Sequence, residues 1–188
     1  LHRAREEGFL ILDTSYLETL KENDFAHIVR GRGELPLFHE RVSFLQQLAS
    51  ILKKKYGGKA INVVDSGEGD ALKLLDEVTT NFPCYDDHAM YKGNKVLFHK
   101  RAQLVVDETN ETLEPVGRGL SHTNELTALA DYKVPQVLRN IGILTYHPKL
   151  KERIDTYQIT PANSREEVEI RVFTIEAVDR MVKRLKSK

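Results

Sequence analysis

The sequence has a single cysteine, no excess of charge of either sign and no long apolar run, and each shortage excludes a class of protein. Cys84 alone excludes an intrachain disulfide and a metal site built from several cysteines, and it is typical of a reducing compartment such as the cytoplasm. The 28 basic and 28 acidic side chains balance, so the chain lacks the electrostatic footprint of a protein that binds long nucleic acid or a membrane surface. No apolar run approaches the roughly 18 residues of a membrane-spanning helix.

The length of 188 residues and the 40 % of apolar residues predict a single helical domain, residues 1–188. The apolar spacing predicts a mainly α fold with at most a short β hairpin. "LPLFHERVSFLQQLASILKKKYGG" predicts a helix with Pro36 in its first turn and Gly57 just after its end. The predicted core face of this helix consists of Leu37, Phe38, Val42, Leu45, Leu48, Ala49 and Leu52.

Three further segments predict helices. "GDALKLLDEVTTNFP" has Asp70 as N-cap, and "KRAQLVVDETNETL" follows later in the chain. In "SREEVEIRVFTIEAVDRMVKRLKSK", Ser164 and Glu167 have the spacing of a capping box. Glu167 and Arg171 also have the favourable spacing of a helix ion pair, so two contacts compete for one glutamate.

Strand signals are few. "KVLFH" after the turn "KGN" is the best candidate, and "INVV" is a weaker one. The longest polar, glycine-containing stretch is "DETNETLEPVGRGLSHTNE", and a loop of that length is often a binding or lid element.

Asp131 stands out because apolar residues flank it on both sides in "ALADYKVPQVLRNIGIL". Burying an unpaired carboxylate costs several kcal/mol, so Asp131 must be solvated, paired or functional. "NELTALADYK" predicts one helix and "VPQVLRNIG" the next, with Pro135 in its first turn and Gly142 at its end, which places Asp131 in a tight junction. The carboxylate either caps the following turn or is aimed into a pocket, where it could stabilise a cation or attack an electrophilic carbon.

Two basic side chains open the segment "KRAQLVV". Lys100 and Arg101 point about 100° apart on a helix, so only one shares the face that carries Ala102 and the following valines. Each is either a solvated cation with its stem on apolar surface or a partner for a buried carboxylate or a phosphate.

The seven histidines are scattered, without the spacing of a metal site, and neither "GEGD" nor "GRG" lies in a nucleotide-binding context. We therefore expect no metal and no cofactor. Asp86, Asp87 and His88 form a polar cluster that solvation of a loop explains.

Three motifs together resemble the queuosine salvage proteins, the queuosine 5′-phosphate N-glycosylases. They are "FPCYDDHAMYKGNKVLFHKRAQLVVD", "LTALADYKVPQVLRNIGILTYHPKL" and "EVEIRVFTIEAVDRM", in that order. Weaker similarity in "LHRAREEGFLILDTSYL" and "ELPLFHERVSFLQQL" extends the resemblance over nearly the whole chain. The resemblance implies a helical fold like that of the helix-hairpin-helix DNA glycosylases.

The resemblance also implies an activity, the hydrolysis of the N-glycosidic bond of queuosine 5′-phosphate. The reaction releases queuine, a 7-deazaguanine base, for insertion into tRNA. Cleavage passes through a state in which positive charge grows on the ribose, and a fixed carboxylate stabilises that charge or adds to the anomeric carbon. A deazapurine lacks the N7 that an acid could protonate, so stabilisation of the sugar cation should carry more of the catalysis.

The resemblance suggests roles for particular residues. Asp131 is the expected catalytic carboxylate, and Lys100 is expected beside it or on the ligand, where it favours the ionised carboxylate. Tyr132 could stack on the base or sugar. The expected phosphate ligands are Arg101, Lys133 and Arg139, and Glu169 or Arg171 is expected to brace the site.

The chain departs from the family in three respects. Many members carry phenylalanine where Leu129 stands, so the substrate contact expected at Leu129 has no aromatic face. Many carry arginine where Lys133 stands, and lysine keeps the charge without the bidentate fork. Members also have a further N-terminal segment, so we expect 1–188 to be the C-terminal part of a longer protein, with the missing segment or a second chain completing the pocket.

Three functions are open from the sequence. The first is a metal-independent N-glycosyl hydrolase of a small nucleotide. The second is a module that binds a nucleotide or queuine without catalysis. The third, a DNA or RNA glycosylase, conflicts with the balanced charge, since duplex binding normally needs a basic face.

Overall fold

A computed structural model describes residues 2–187 of the protein. The chain folds into two compact units, one ending at Cys84 and the other beginning at Tyr85. The described residues form ten α-helices and a single two-stranded β hairpin, which confirms the prediction of a mainly α fold. The likeness to helix-hairpin-helix glycosylases and the assignment of residues 1–188 to one domain stay predictions.

The first unit is helical throughout its regular part. Its helices are α1 (His2–Glu6), α2 (Thr14–Glu18), α3 (Glu22–Ile28), α4 (Phe38–Tyr56), α5 (Ala60–Ser66) and α6 (Ala71–Asn81). The core lies where α4 packs against α2 and α3, and it buries Leu20, Phe25 and Val42.

Helix α4 confirms the predicted helix but begins later than predicted. Leu37 adopts the left-handed conformation directly before it, with φ at 57°, so Pro36 lies outside the helix. Leu37 is also 63 % exposed, and its predicted place in the core is wrong. The other predicted core positions are buried or half-buried: Phe38, Val42, Leu45, Leu48, Ala49 and Leu52. Gly57 ends the helix in the left-handed conformation, as predicted.

Two local predictions nearby had opposite outcomes. Asp70 caps α6, and its Oδ1 accepts hydrogen bonds from the N–H groups of Leu72 and Lys73, as the sequence predicts. The strand predicted for "INVV" is wrong, because these residues belong to α5, which packs against α6. A short apolar run does not distinguish a strand from a buried helix turn.

The second unit carries the hairpin and the remaining helices. The hairpin strands are β1 (His88–Tyr91) and β2 (Asn94–Leu97), and the helices are α7 (Lys100–Leu113), α8 (Lys133–Asn140), α9 (Pro148–Asp155) and α10 (Arg165–Lys186). Strand β2 confirms the "KVLFH" prediction, and its register pairs Ala89 with Val96. Lys92 and Gly93 both have positive φ, as a tight hairpin turn requires.

Helix α10 buries its apolar face in the core of the second unit. Val168 lies there with Ala89, Phe98 and Ala130. The N-terminus of α10 resolves the competition for Glu167. Ser164 Oγ accepts the Glu167 N–H, while Glu167 Oε2 accepts the N–H of Asn163 rather than that of Ser164. Oε1 of Glu167 lies 3.5 Å from Arg171, so the two carboxylate oxygens serve two partners.

The helix predicted for "NELTALADYK" is wrong. Only Thr123–Glu125 form a 3₁₀ turn, and residues 126–130 have no regular structure. Side chains supply the partners that a helix would otherwise provide. Gln103, 4 % exposed on α7, donates to Thr127 Oγ1 and accepts the Thr127 N–H. Arg171 donates to the carbonyl oxygen of Ala130.

The long polar stretch is mostly not a loop. Its first seven residues form the end of α7, and Glu114–Val116 continue as a 3₁₀ turn. The chain then returns to α7, where Asn110 Oδ1 accepts the Leu120 N–H at 2.7 Å. The helix predicted for "KRAQLVVDETNETL" is confirmed and takes up the first part of the stretch, while this contact holds the later part against α7, so the expected open loop does not form.

Candidate functional site

The second unit contains a cavity of about 830 Å³, a size that suits a small ligand. Its wall is formed by the loop before β1, the start of α7, α8 and the segment leading into it, residues in and around α9, and the first turns of α10. Polar and charged side chains in the wall include Asp86, Asp87, His88, Lys100, Arg101, Asp131, Tyr132, Gln136, Arg139, Asn163, Glu167 and Arg171.

Asp131 lies in this wall, two residues before the start of α8. It joins an irregular segment to a helix, so the predicted junction between two helices is wrong. Its Oδ1 accepts the N–H groups of Lys133 at 2.8 Å and Val134 at 3.1 Å, which caps the helix. Its Oδ2 lies 3.9 Å from Lys100 Nζ. Oδ1 therefore accepts hydrogen bonds from the start of the helix, and Oδ2 faces a cation.

Lys100 and Arg101 are the first two residues of α7, and both line the cavity. The sequence predicts that only one of them shares the apolar face, and the structure leaves Lys100 partly buried and Arg101 exposed. The side chain of Lys100 is 24 % exposed and that of Asp131 is 27 % exposed, so this pair is partly shielded from water.

Arg171 connects the site to α10. Its guanidinium donates from Nη1 to Asp87 Oδ1 at 2.9 Å and from Nη2 to Asp87 Oδ2 at 2.5 Å. Its Nε donates to Ala130 O at 3.1 Å, and the group lies 3.8 Å from the centre of the Phe98 ring. With only 14 % of its side chain exposed, Arg171 braces the residue that precedes Asp131.

Sequence reasoning missed Asp87. Its backbone carbonyl accepts the N–H groups of Phe98 and His99, and its Oδ2 accepts the Lys100 N–H at 3.1 Å. Burial alone would raise the pKa of the Asp87 carboxyl, but the hydrogen bonds and charge of Arg171 hold that pKa below its ordinary value. The signal lay in α10: Arg171 shares a face with Val168 and Thr174, and an arginine on a buried face needs a carboxylate.

Asp86 and its neighbours form a second charged group in the wall, rather than a solvated loop. Asp86 Oδ1 lies 3.1 Å from His88 Nδ1 and 3.5 Å from His99 Nε2, while Oδ2 lies 3.6 Å from Lys95 Nζ. Burial opposes ionisation, but His88 and Lys95 outweigh it and lower the pKa of Asp86. This group and the Asp87–Arg171 pair give the wall both signs of charge.

Tyr132 and Arg139 also line the cavity. Tyr132 is 70 % exposed, and Lys133 Nζ lies 5.2 Å from the centre of its ring. Arg139 donates to Asp155 Oδ1 at 2.6 Å and lies 5.1 Å from the centre of the Tyr146 ring. Arg139 is thus already held at the wall by a carboxylate and an aromatic ring.

Three residues expected in the site are absent from the described lining of the cavity: Leu129, Lys133 and Glu169. Leu129 is half-buried, and its carbonyl accepts the Asp131 N–H at 2.7 Å. Glu169 Oε1 accepts hydrogen bonds from Tyr91 at 2.6 Å and Arg165 at 2.8 Å, which lower the pKa of its carboxyl. Glu169 therefore ties α10 to the hairpin.

The described residues, 2–187, include no cluster of three or more side chains arranged to hold a metal ion. Over the same residues, every helix is too short or too polar to cross a membrane.

Comparisons with known proteins agree with the motifs. The family model for "Queuosine salvage protein" matches residues 1–188. Queuosine 5′-phosphate N-glycosylase/hydrolase of Sphaerobacter thermophilus is 40 % identical over 189 residues, which cover 100 % of this chain and 58 % of that relative. The proteins of the same name from Bos taurus and Mus musculus are 36 % and 33 % identical, over 95 % and 98 % of this chain and 53 % and 56 % of their own lengths. The chain spans about half the length of these curated relatives. The predicted family is confirmed, and the chain belongs to the queuosine salvage proteins.

Proposed function

We propose that the protein hydrolyses the N-glycosidic bond of queuosine 5′-phosphate and releases queuine for tRNA modification. The observation that carries the proposal is the Lys100–Asp131 pair in the wall of a nucleotide-sized cavity, with Asp131 Oδ2 3.9 Å from Lys100 Nζ. The names of the relatives support the same substrate. The single cysteine supports a cytoplasmic location.

In the proposed reaction, the bond between the ribose C1′ and the base nitrogen breaks, and its electron pair leaves with the base. Positive charge then grows on the ribose, where the Asp131 carboxylate stabilises it or adds to C1′. The oxygen of a water molecule finally bonds to C1′ and, where Asp131 has added there, displaces its carboxylate. One O–H bond of the water breaks, and that proton goes to the nitrogen of the departing base. The products are queuine and ribose 5-phosphate.

The cations of the wall have separate proposed roles. Lys100 places a positive charge 3.9 Å from Asp131 Oδ2, where it attracts that oxygen. Arg101 and Arg139 line the cavity and are the proposed ligands of the 5′-phosphate, while Tyr132 offers its ring to the base or sugar. Lys133 lies over the ring of Tyr132, so its proposed contribution to phosphate binding is less direct than that of the two arginines.

The competing proposal is a module that binds a nucleotide or queuine without turnover. It draws support from Asp131 itself, whose Oδ1 is already used as a helix cap. The relatives are also about twice as long as this chain, and a longer protein has more residues to complete a pocket.

The test is to incubate the natural gene product, and separately the 188-residue chain, with queuosine 5′-phosphate and to quantify queuine and ribose 5-phosphate by mass spectrometry. The hydrolase proposal predicts equimolar products and repeated turnovers. Stoichiometric binding with no release from either form would favour the binding module and contradict the hydrolase. Release from the natural gene product alone would assign completion of the active site to residues that the 188-residue chain does not contain.

A further inference from the structure

We propose that Asp87 is a positioning residue that holds Lys100 and Asp131 in their relative places. The inference rests on the function proposed above and adds to it a residue to which the family resemblance gave no role. Asp87 accepts hydrogen bonds from the Lys100 N–H and from both Nη atoms of Arg171. It thereby joins the start of α7 to the second turn of α10.

Arg171 carries the connection onward to the catalytic carboxylate. Its Nε donates to Ala130 O, and Ala130 is 3 % exposed and directly precedes Asp131. A planar guanidinium can hold a carboxylate with two nitrogens and a carbonyl with the third, which an ammonium group cannot do with the same geometry. A series of hydrogen bonds therefore connects Lys100 through Asp87 and Arg171 to the residue before Asp131.

Lys100 and Asp131, at the two ends of this series of hydrogen bonds, also face each other directly in the cavity, where Lys100 Nζ lies 3.9 Å from Asp131 Oδ2. Asp87 bonds the backbone of Lys100 and, through Arg171, the residue before Asp131, so loosening Asp87 removes one restraint from each member of the pair. Asp87 also lines the cavity, but both of its carboxylate oxygens accept hydrogen bonds from the protein. A positioning role therefore fits it better than contact with the reacting atoms.

A comparison with the adjacent carboxylate, Asp86, shows why the positioning role belongs to Asp87. Asp86 forms ion pairs with His88, Lys95 and His99, all on or next to the hairpin. The contacts of Asp87 reach Lys100 at the start of α7 and Arg171 of α10, which holds the residue before Asp131. Of these neighbouring aspartates, we therefore assign the positioning role to Asp87.

The experiment compares Asp87→Asn, Arg171→Lys and the double variant with wild type, using the full natural protein and queuosine 5′-phosphate. A displacement near 1 Å can cost about 100-fold in rate, so we expect kcat to fall roughly 10- to 100-fold. KM should change little, and Asp87→Glu should recover part of kcat. The double variant should be no slower than the slower single variant, because the two residues act as a unit.

A second readout does not depend on turnover. The N–H groups of Lys133 and Val134 donate to Asp131 Oδ1, so their hydrogen exchange reports how firmly Asp131 is held. We expect Asp87→Asn to accelerate this exchange about tenfold or more, as local opening becomes easier. Glu176→Gln is the matched control, because it removes a carboxylate that pairs with Arg180 on the exposed side of the same helix.

The inference is overturned if Asp87→Asn keeps the wild-type kcat per folded molecule, or if exchange at Lys133 and Val134 is unchanged. Additive losses in the double variant would also contradict it. If wild type releases no queuine, the proposed function fails, and the exchange measurement alone decides whether Asp87 positions Asp131.

Discussion

The two oxygens of Asp131 explain why the sequence left two interpretations open. A cap and an active-site carboxylate are often alternatives, but here Oδ1 bonds the start of α8 while Oδ2 faces Lys100. Because both oxygens belong to one carboxylate, the hydrogen bonds to Oδ1 also fix the direction of Oδ2, with no further loss of side-chain conformational entropy. Both interpretations are thus compatible in one residue.

Arg101 allows a test of phosphate recognition at single-residue scale. A charge-assisted hydrogen bond contributes about 1.5–3 kcal/mol, so we expect Arg101→Gln to raise KM for queuosine 5′-phosphate by roughly tenfold or more. KM for the unphosphorylated nucleoside should stay the same. Steady-state kinetics on both substrates measures the difference, and an equal rise for both would assign Arg101 to another part of the ligand.

Asp87 also predicts a pH dependence of stability. Its pKa is lowered in the folded protein, so its ionised form stabilises the fold fully above its unfolded pKa of about 3.9. That contribution is lost as the pH falls from there through the lower folded value. We expect Asp87→Asn to cost about 2 kcal/mol at pH 7, because charged hydrogen bonds are lost, and to cost less at pH 3, below the unfolded pKa.

Urea unfolding of wild type and Asp87→Asn at both pH values measures this difference. Glu176→Gln serves as the control, because Glu176 pairs with Arg180 at an exposed position of the helix. A stability difference that does not depend on pH would show that the Asp87 charge contributes nothing to the fold.

At the scale of elements, the segment from Leu126 to Ala130 shows where sequence reasoning fails. Its apolar residues suit a helix, yet Gln103 and Arg171 supply its hydrogen-bond partners from α7 and α10. These contacts join residues 24 and 41 positions apart in the chain. Local spacing carries no information about partners that distant, so the wrong helix and the missed Asp87 have one cause.

Elements governed by local chemistry were predicted well. Asp70 and Ser164 cap their helices through side chains two or three residues from the N–H groups they bind. Gly57 ends α4 in a conformation that glycine adopts without a steric penalty. The left-handed Leu37 was missed because nothing in its residue type favours that conformation.

Gln103 provides the test at this scale. Replacing it by leucine removes partners from the Phe98 carbonyl and the Thr127 N–H, both near the buried core. Unsatisfied buried groups cost about 1–3 kcal/mol, so we expect Gln103→Leu to lower the free energy of unfolding by roughly 2 kcal/mol. Gln158→Leu, at an exposed position, should have little effect in the same urea titration. Equal stabilities would show that this glutamine does not hold the segment.

At the scale of the whole molecule, charge balance and cavity chemistry agree. The formal net charge is zero, while Lys100, Arg101 and Arg139 are gathered in one cavity wall. A small anionic nucleotide needs only such a local group, whereas a nucleic-acid duplex needs an extended basic face. The family, found from motifs spread along the chain, could be predicted from sequence. The arrangement that brings those motifs together could not.

The most direct test of the account is the turnover of Asp131→Asn. Asparagine keeps an oxygen that can cap α8 and removes only the charge, so the fold and the affinity for queuosine 5′-phosphate should be retained. Loss of one preorganised electrostatic contact costs 100-fold or more in favourable cases, and we expect queuine release to fall by at least about 100-fold. Asp179→Asn, which removes the partner of Lys183 on α10, is the control. Wild-type turnover by Asp131→Asn would contradict the account.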